Sequence, residues 1–381
     1  MRNRIISRYL IREIVGIFAL GLTIFTLVLL MGRMVKLMEM VVSNGVPLVE
    51  VARLIALLLP SFLVLTIPMA FLLAVLLAFG RLSSDNEITV LKASGLSLYV
   101  LLPPVLISAV LAGMLTLFIS LVAVPWGNSG FKQMTVDVAR KYAATAIRER
   151  IFRDDIPGIV LYVDHYDEAT RRMERVMIQD GRDPERPLTI FAKNGLITSD
   201  ITSSGLRILL HNGSIHTQSA NGDYRLVSFG EYLLTAEAGR GAAVVRTETD
   251  MGVAELFNTA NAPQTAPQAR VKMLAEMHSR FAFPGAVFVF ALLAVPLGLQ
   301  NRRSGKTSGF TVSIFILLLY YVLLLFLRTL AEKGVIPPFA ALWLPNLLFG
   351  GLGLALLRMA AAEKNLRDIP AMLGFGKRRV A

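Results

Sequence analysis

Few side chains in this sequence have the type and spacing to do chemistry. The nearest approach to a phosphate-binding loop is SGKTS, residues 304–308. Such a loop needs a further glycine five positions ahead of Gly305, in a turn between a strand and a helix. Position 300 is Gln300, and the segment joins two apolar runs instead, so nucleotide binding is not expected here. The histidines are His165, His211, His216 and His278. His211 and His216 stand five apart, a poor spacing for joint ligation from one strand face. Neither H-E-x-x-H nor G-x-S-x-G occurs. With no cysteine there is no thiol nucleophile, thiolate metal site or disulfide. The expectation is a chain with no catalytic residue, no metal ligand and no cofactor of its own.

Two smaller groups remain. Arg33 and Lys36 are three apart at the end of an apolar run, hence on one face of a helix. Snorkelling to lipid headgroups would explain them. The alternative is a site for an anionic amphiphile, because charge at a membrane border is costly enough to be kept for function. The second group lies in GRLSSDNEITVLKASGLS, residues 80–97, a polar island between two uncharged stretches. Ser84 is placed to cap a helix, with Glu87 completing an S-x-x-E capping box. Ile88, Val90 and Leu91 offer apolar contact, and Gly95 a C-terminal stop. About ten helical residues result, where a mere return turn needs about 2–8. A short capped helix of this kind could receive a push from a separate machine.

These groups depend on the elements that carry them. The chain is 54% hydrophobic and 17% charged, against about 25% charged in a soluble domain. Uncharged runs cover Ile14–Gly32, Leu54–Gly80, Leu98–Trp126, Phe281–Gln300, Ser308–Leu327 and Gly334–Leu357. Each reaches the roughly 17–25 residues that cross a bilayer as a helix. The first run is longer than a signal-peptide core of about 7–15 residues, so it is expected to stay as a span. Before it, Ile5, Ile6, Tyr9 and Leu10 alternate with arginines as in an interfacial amphipathic helix.

Charge placement orients the spans. Arg2, Arg4, Arg8 and Arg12 precede the first, and Arg302, Arg303 and Lys306 separate the fourth and fifth. Arg358, Lys364, Arg367, Lys377, Arg378 and Arg379 follow the sixth. All fall on one side if the N-terminus is cytoplasmic, the positive-inside pattern. The net charge of +12 therefore reports topology and attraction to anionic lipid. No nucleic-acid partner is expected.

Between the third and fourth spans the character changes. Residues 128–150 read as a helical or irregular lead-in. After them come short β-rich runs: GIVLYVDHY, RVMIQD, LTIFAKNG, LRILLHNG, SIHTQS and DYRLVSFGEYLL. Turn formers such as HNG and ANGD separate them, a spacing that fits an antiparallel sandwich or barrel. NTANAPQTAPQAR, residues 258–270, reads as a linker. The expected class is an α-helical membrane protein with six transmembrane helices, three plus three, and an inserted periplasmic all-β domain. Its parts are an interfacial helix and spans one to three over 1–127, with the short helix at about 84–94. The β domain and linkers occupy 128–277, spans four to six 278–360, and a cytoplasmic tail 361–381.

RYLIRE (8–13), SDNEITVLKASG (84–95), EMHSRFAFP (276–284), AVPLGLQNRRSGK (294–306) and LWLPN (342–346), in this order, resemble the LptF/LptG family of lipopolysaccharide-export permeases. NEITVLKASG is more similar to the F member than to the G member. The resemblance implies half of an ABC transporter that extracts lipopolysaccharide from the outer leaflet of the inner membrane. It implies a jellyroll-like β domain, a heterodimer with an LptG-like permease and two LptB-like ATPase subunits, which bind the ATP and Mg. LptC-like and LptA-like jellyroll proteins would receive the lipid. It also implies an ATPase-coupling role for Ser84, Glu87, Ile88 and Leu91, and headgroup contact for Arg33 and Lys36. A membrane-anchored periplasmic scaffold with no transport role is the competing reading, but it leaves the last three spans and the capped helix without a purpose.

Overall fold

The computed structural model describes residues 2–44, 46–94, 97–142, 149–156, 158–167, 170, 172–182, 187–199, 205–218, 224–237, 246–300 and 306–362. Six of its helices are long and apolar enough to cross a membrane. They are carried by α1 (Arg2–Asn44), α2 (Leu48–Ser84), the pair α4 (Leu102–Phe118) and α5 (Val124–Tyr142), α7 (Pro267–Gln300), α8 (Lys306–Glu332) and α9 (Pro338–Ala361). A short α3 (Glu87–Ala93) follows α2, and α6 (Val253–Ala260) precedes α7. A π-helical segment over Ile119–Ala123 joins α4 to α5, so this span runs on as helix into the expected lead-in, as far as Tyr142. The expected interfacial segment and first span likewise form one uninterrupted helix.

The chain divides into two compact units. The first, residues 1–33, 56–129 and 246–381, holds most of the apolar helices. Its core is built on α2, α4 and α7, with Phe71, Phe79, Val105, Val287, Phe290 and Val295 fully buried. Within lipid there is no hydrophobic drive between helices, so close approach and shared hydrogen bonds must hold them. Gly298 permits one such approach: a Cβ there would lie 2.7 Å from that of Phe79 and 3.1 Å from the Leu76 carbonyl. Thr26 and Thr66 share a hydrogen bond of 3.1 Å between α1 and α2. Tyr320 donates to Asn346 at 2.8 Å, and Asn346 to the Ala282 carbonyl at 2.9 Å, tying α8, α9 and α7.

A charged cluster near the start of α7 was not visible in the uncharged runs. Arg280, 2% exposed, faces Glu276 at 3.6 Å, and Glu276 also takes Arg328 of α8 at 3.1 Å. Arg328 bonds Glu332 at 2.9 Å. Arg280 Nη2 reaches the Glu248 and Thr249 carbonyls, both at 3.4 Å, in the segment that opens this part of the unit. Asn128, just before the chain leaves this unit at residue 129, donates to the same Thr249 carbonyl at 3.3 Å and accepts from Ser61 at 2.9 Å. The exit after 129 and the return at 246 are thus fastened at one point within the unit.

The second unit comprises residues 34–55 and 130–245. In it Val46, Val51 and Leu54 pack on Val138 of α5. Its sheet is antiparallel, with strands neighbouring in sequence order: β1 (Arg153–Ile156), β2 (Ile159–Asp167), β3 (Arg172–Asp180), β4 (Leu188–Ser199), β5 (Gly205–Gln218) and β6 (Tyr224–Glu237). Two runs expected as separate strands form β5 alone, because HNG is not a turn. Asn212 takes a left-handed φ of 53° inside the strand, and Arg175 does the same at 50° in β3.

Pairing skips one level across the sheet, at Asp164, Arg175, Lys193, Asn212 and Gly230, with the same register on either side. On either side the inward face changes parity: Val163 and Tyr166 both point in, as do Met173 and Val176, and Phe229 and Tyr232. A left-handed residue uses one position without reversing the pleat, which is why the alternation in LRILLHNGSIHTQ looks imperfect. Gly213 adjoins this line, where a Cβ would meet the Phe191 carbonyl at 2.2 Å. Arg175 holds the Asp164 carboxyl below its usual range through their hydrogen bond.

Removing one partner of a buried ion pair costs about 3–5 kcal/mol, because the other charge is left unpaired. Glu276→Gln should therefore lower the thermal midpoint of the detergent-solubilised protein markedly, with Glu276→Asp less harmful. A midpoint equal to wild type would show that the cluster holds nothing together.

Candidate functional site

The strongest candidate is the corner where α2 gives way to α3. α2 crosses the apolar layer and continues through Arg81 to Ser84. The chain then turns on Asp85 and Asn86, with Asp85 N–H donating to the Arg81 carbonyl at 2.9 Å and Asn86 N–H to Ser83 at 3.2 Å. Asn86 is left-handed, φ 59°, a conformation asparagine tolerates better than most residues. α3 begins at Glu87 and spans seven residues rather than about ten.

The expected capping box does not form. Ser84 still belongs to α2, and its hydroxyl donates back to the Gly80 carbonyl at 2.9 Å, as serine does inside a helix. Asn86 occupies the cap position without a side-chain hydrogen bond. Glu87 is instead the first residue of α3, where the positive end of the helix dipole favours a carboxylate. Ser94 closes the helix by donating to Val90 at 2.9 Å; Gly95 lies outside the described residues.

The apolar positions of α3 divide by face. Ile88 is 2% exposed within the main core, and Leu91 packs against that core. Ile88 anchors α3 in the core, and Leu91 is partly buried against it. Val90, 64% exposed, is the apolar residue that α3 presents outward, with Asp85, Asn86, Thr89 and Ala93 also exposed.

A polar network binds this corner to α1. Tyr9 donates to Glu87 Oε1 at 3.2 Å, and Arg81 Nη2 donates to the Tyr9 hydroxyl at 2.9 Å. Arg81 Nη1 pairs with Glu13 at 2.7 Å, and its Nε lies 3.8 Å from Asp85. One guanidinium thus faces Glu13 and Asp85 directly and Glu87 through the Tyr9 hydroxyl. Tyr9, Glu13 and Arg81 were missed as site residues. The signal for them was the spacing of four in RYLIRE, which sets Tyr9 and Glu13 on one helix face.

The second candidate lies along α1. Arg33 is exposed; Lys36 belongs to the same helix, but its side chain is outside the described residues. Neither stands at a helix end, because α1 continues to Asn44. Tyr9 and Arg33 are separated by about 36 Å at 1.5 Å per residue, close to the roughly 30 Å of a hydrocarbon core.

The remaining candidates have ordinary partners. His165 pairs with Glu149 at 2.6 Å and His211 with Glu231 at 3.5 Å. His278 meets the Phe339 ring edge-on. His216 joins Ser214 at 2.9 Å and the Tyr224 hydroxyl. Of SGKTS, residues 304–305 lie outside the described residues, and Lys306 opens α8. Among the described residues no cluster of His, Cys, Asp or Glu is arranged to hold a metal.

The family described as lipopolysaccharide export system permease LptF/LptG matches residues 8–359. The chain is 26% identical over 355 residues to the lipopolysaccharide export system permease protein LptF of Escherichia coli, covering 92% of this chain and 94% of that one. The Shigella flexneri protein of the same description matches to the same extent. An uncharacterized protein of Rickettsia prowazekii is 23% identical over 321 residues, covering 83% and 87%.

Proposed function

Since the chain belongs to the LptF/LptG family of lipopolysaccharide export permeases, we propose that it is the F-type half of an ATP-driven extractor of that lipid. An LptG-like permease completes the membrane part, and two LptB-like ATPase subunits bind and hydrolyse the nucleotide with Mg. The lipid leaves the outer leaflet of the inner membrane for the β unit, in the periplasm, and passes to LptC-like and LptA-like proteins. Burial of acyl chains is worth about 0.8 kcal/mol per CH₂, so lifting a lipid with several chains requires an outside energy source.

The observation that carries this reading is α3. It presents Glu87 and Val90 outward beside Ser84 while Ile88 is locked into the core. Glu87 meets a basic surface of the ATPase; Ile88 and Leu91 pass the displacement into a close-packed interior, which transmits strain because it is nearly incompressible. At the outer border Arg33, with Lys36, contacts the phosphates of the lipid.

Orientation is tested by reporter fusions: one at Ser228 should read as periplasmic and one at Lys377 as cytoplasmic. A cytoplasmic signal at Ser228 would sink the reading.

Coupling is tested at Glu87. Glu87→Gln keeps an acceptor for Tyr9 but removes the charge, so ATPase co-purification and lipid-stimulated hydrolysis should drop while membrane insertion stays normal. Wild-type export by Glu87→Gln would rule out charge pairing at this position.

Headgroup contact is tested by replacing Arg33 and Lys36 together with glutamine. Hydrogen bonds to charged groups are worth about 1.5–3 kcal/mol each, so lipopolysaccharide recovered with the purified heterodimer should fall several-fold. Unchanged recovery would remove this helix from the binding site and leave snorkelling as the role of both residues.

A further inference from the structure

Glu87 is not held by its own helix. α3 has seven residues, its cap position makes no side-chain hydrogen bond, and the Glu87 carboxylate would be free to rotate without an outside partner. That partner comes from α1, 78 residues earlier: Tyr9 donates to Oε1 at 3.2 Å. Oε2 has no hydrogen-bond partner among the described residues. We propose that Tyr9 is a positioning residue that presents Glu87, half engaged and still charged, to a cationic group of the ATPase. This rests on the coupling reading of Glu87 given above.

The direction of each hydrogen bond matters. Arg81 Nη2 donates to the Tyr9 oxygen at 2.9 Å, so the hydroxyl acts as acceptor on that side and sends its proton toward Glu87. Tyr9 therefore stands between a guanidinium and a carboxylate that would otherwise attract each other. An Arg81–Glu87 pair formed directly would consume the charge that a docking face needs. Arg81 is kept from this by its other obligations as well: Glu13 at 2.7 Å and Asp85 at 3.8 Å. The hydroxyl works as a spacer and a clamp together. Tyr9 is itself fixed, because its neighbour Leu10 and the next turn's Ile14 are almost fully buried in the core.

The test is a double-mutant cycle in the full transporter, reconstituted with its permease partner and ATPase in vesicles containing purified lipopolysaccharide. The readouts are affinity for the ATPase subunit and ATP hydrolysed per lipid released. Tyr9→Phe keeps the ring and removes the donor, and should weaken ATPase affinity about threefold to tenfold, the range of one ordinary exposed hydrogen bond. Glu87→Ala removes the acceptor, so adding Tyr9→Phe to it should cost nothing more. Residues that act through each other are non-additive in this way.

Full additivity of the two changes overturns the proposal, since it would mean that Tyr9 serves only the packing of α1. A silent Tyr9→Phe beside a defective Glu87→Ala also overturns it, while leaving the coupling reading intact. A silent Glu87→Ala overturns both. If Tyr9→Phe does not assemble, fluorotyrosine at position 9 keeps the hydroxyl and varies its acidity. ATPase affinity should then change with donor strength, and an affinity indifferent to it again overturns the proposal.

Discussion

A charge within the hydrocarbon layer costs several kcal/mol unless it is paired or reaches water, and this constraint decides where the chain can put its few ionisable residues. The middle of each span has none. At the borders they come in sets: Arg280 with Glu276 and Arg328 near the start of α7, and Arg81 with Glu13, Asp85 and Tyr9 at the end of α2. The two sets differ in kind. The first is enclosed and fastens the chain where it crosses between units. The second is half exposed. Enclosure suits a fastening, since breaking an enclosed pair leaves a charge that water cannot reach; an exposed set can exchange partners with its surroundings at little cost.

The spans themselves were legible because an uncharged run of this length has no other common explanation. Their ends were not. A run of uncharged residues stops at Gly80, but α2 continues through Arg81 to Ser84 because Arg81 finds partners on α1. The extension moved Ser84 inside a helix, and the local S-x-x-E signature lost to it. Pairings between distant segments were equally hidden: Glu276 and Arg328 are 52 positions apart. A single sequence carries no signal that joins them.

In the β unit the strands were legible from their β-branched runs, and the register was not. Alternation is a reliable guide only while every residue reverses the pleat. Arg175 and Asn212, both left-handed, break that rule at the same level as Asp164, Lys193 and Gly230. HNG resembles a turn because the residues that tolerate a positive φ in turns are the same ones that allow such a break within a strand. The corner at α3 was the reverse case. Its position and its carboxylate were visible, and the division of Ile88 and Leu91 from Val90 follows from helical spacing once the start of the helix is known.

The unequal packing of the helices says how a displacement at that corner would travel. α2 is mostly enclosed, with 72% of its apolar window buried, whereas for α1 the figure is 11%. Moving α2 alone would open cavities around Phe71, Leu72 and Phe79, each void losing contacts that nothing replaces. Moving α1 disturbs less of the core: contacts at Leu10, Ile14 and Phe18, the Thr26–Thr66 hydrogen bond, and the bonds of Tyr9 and Glu13 to the α2–α3 corner. α1 is also the helix that touches Glu87 directly, through Tyr9. A rod without an internal proline transmits such a shift along its whole length, and Arg33 lies on the same rod toward the opposite border. The helix with the least to lose by moving is therefore the one that joins the two candidate sites.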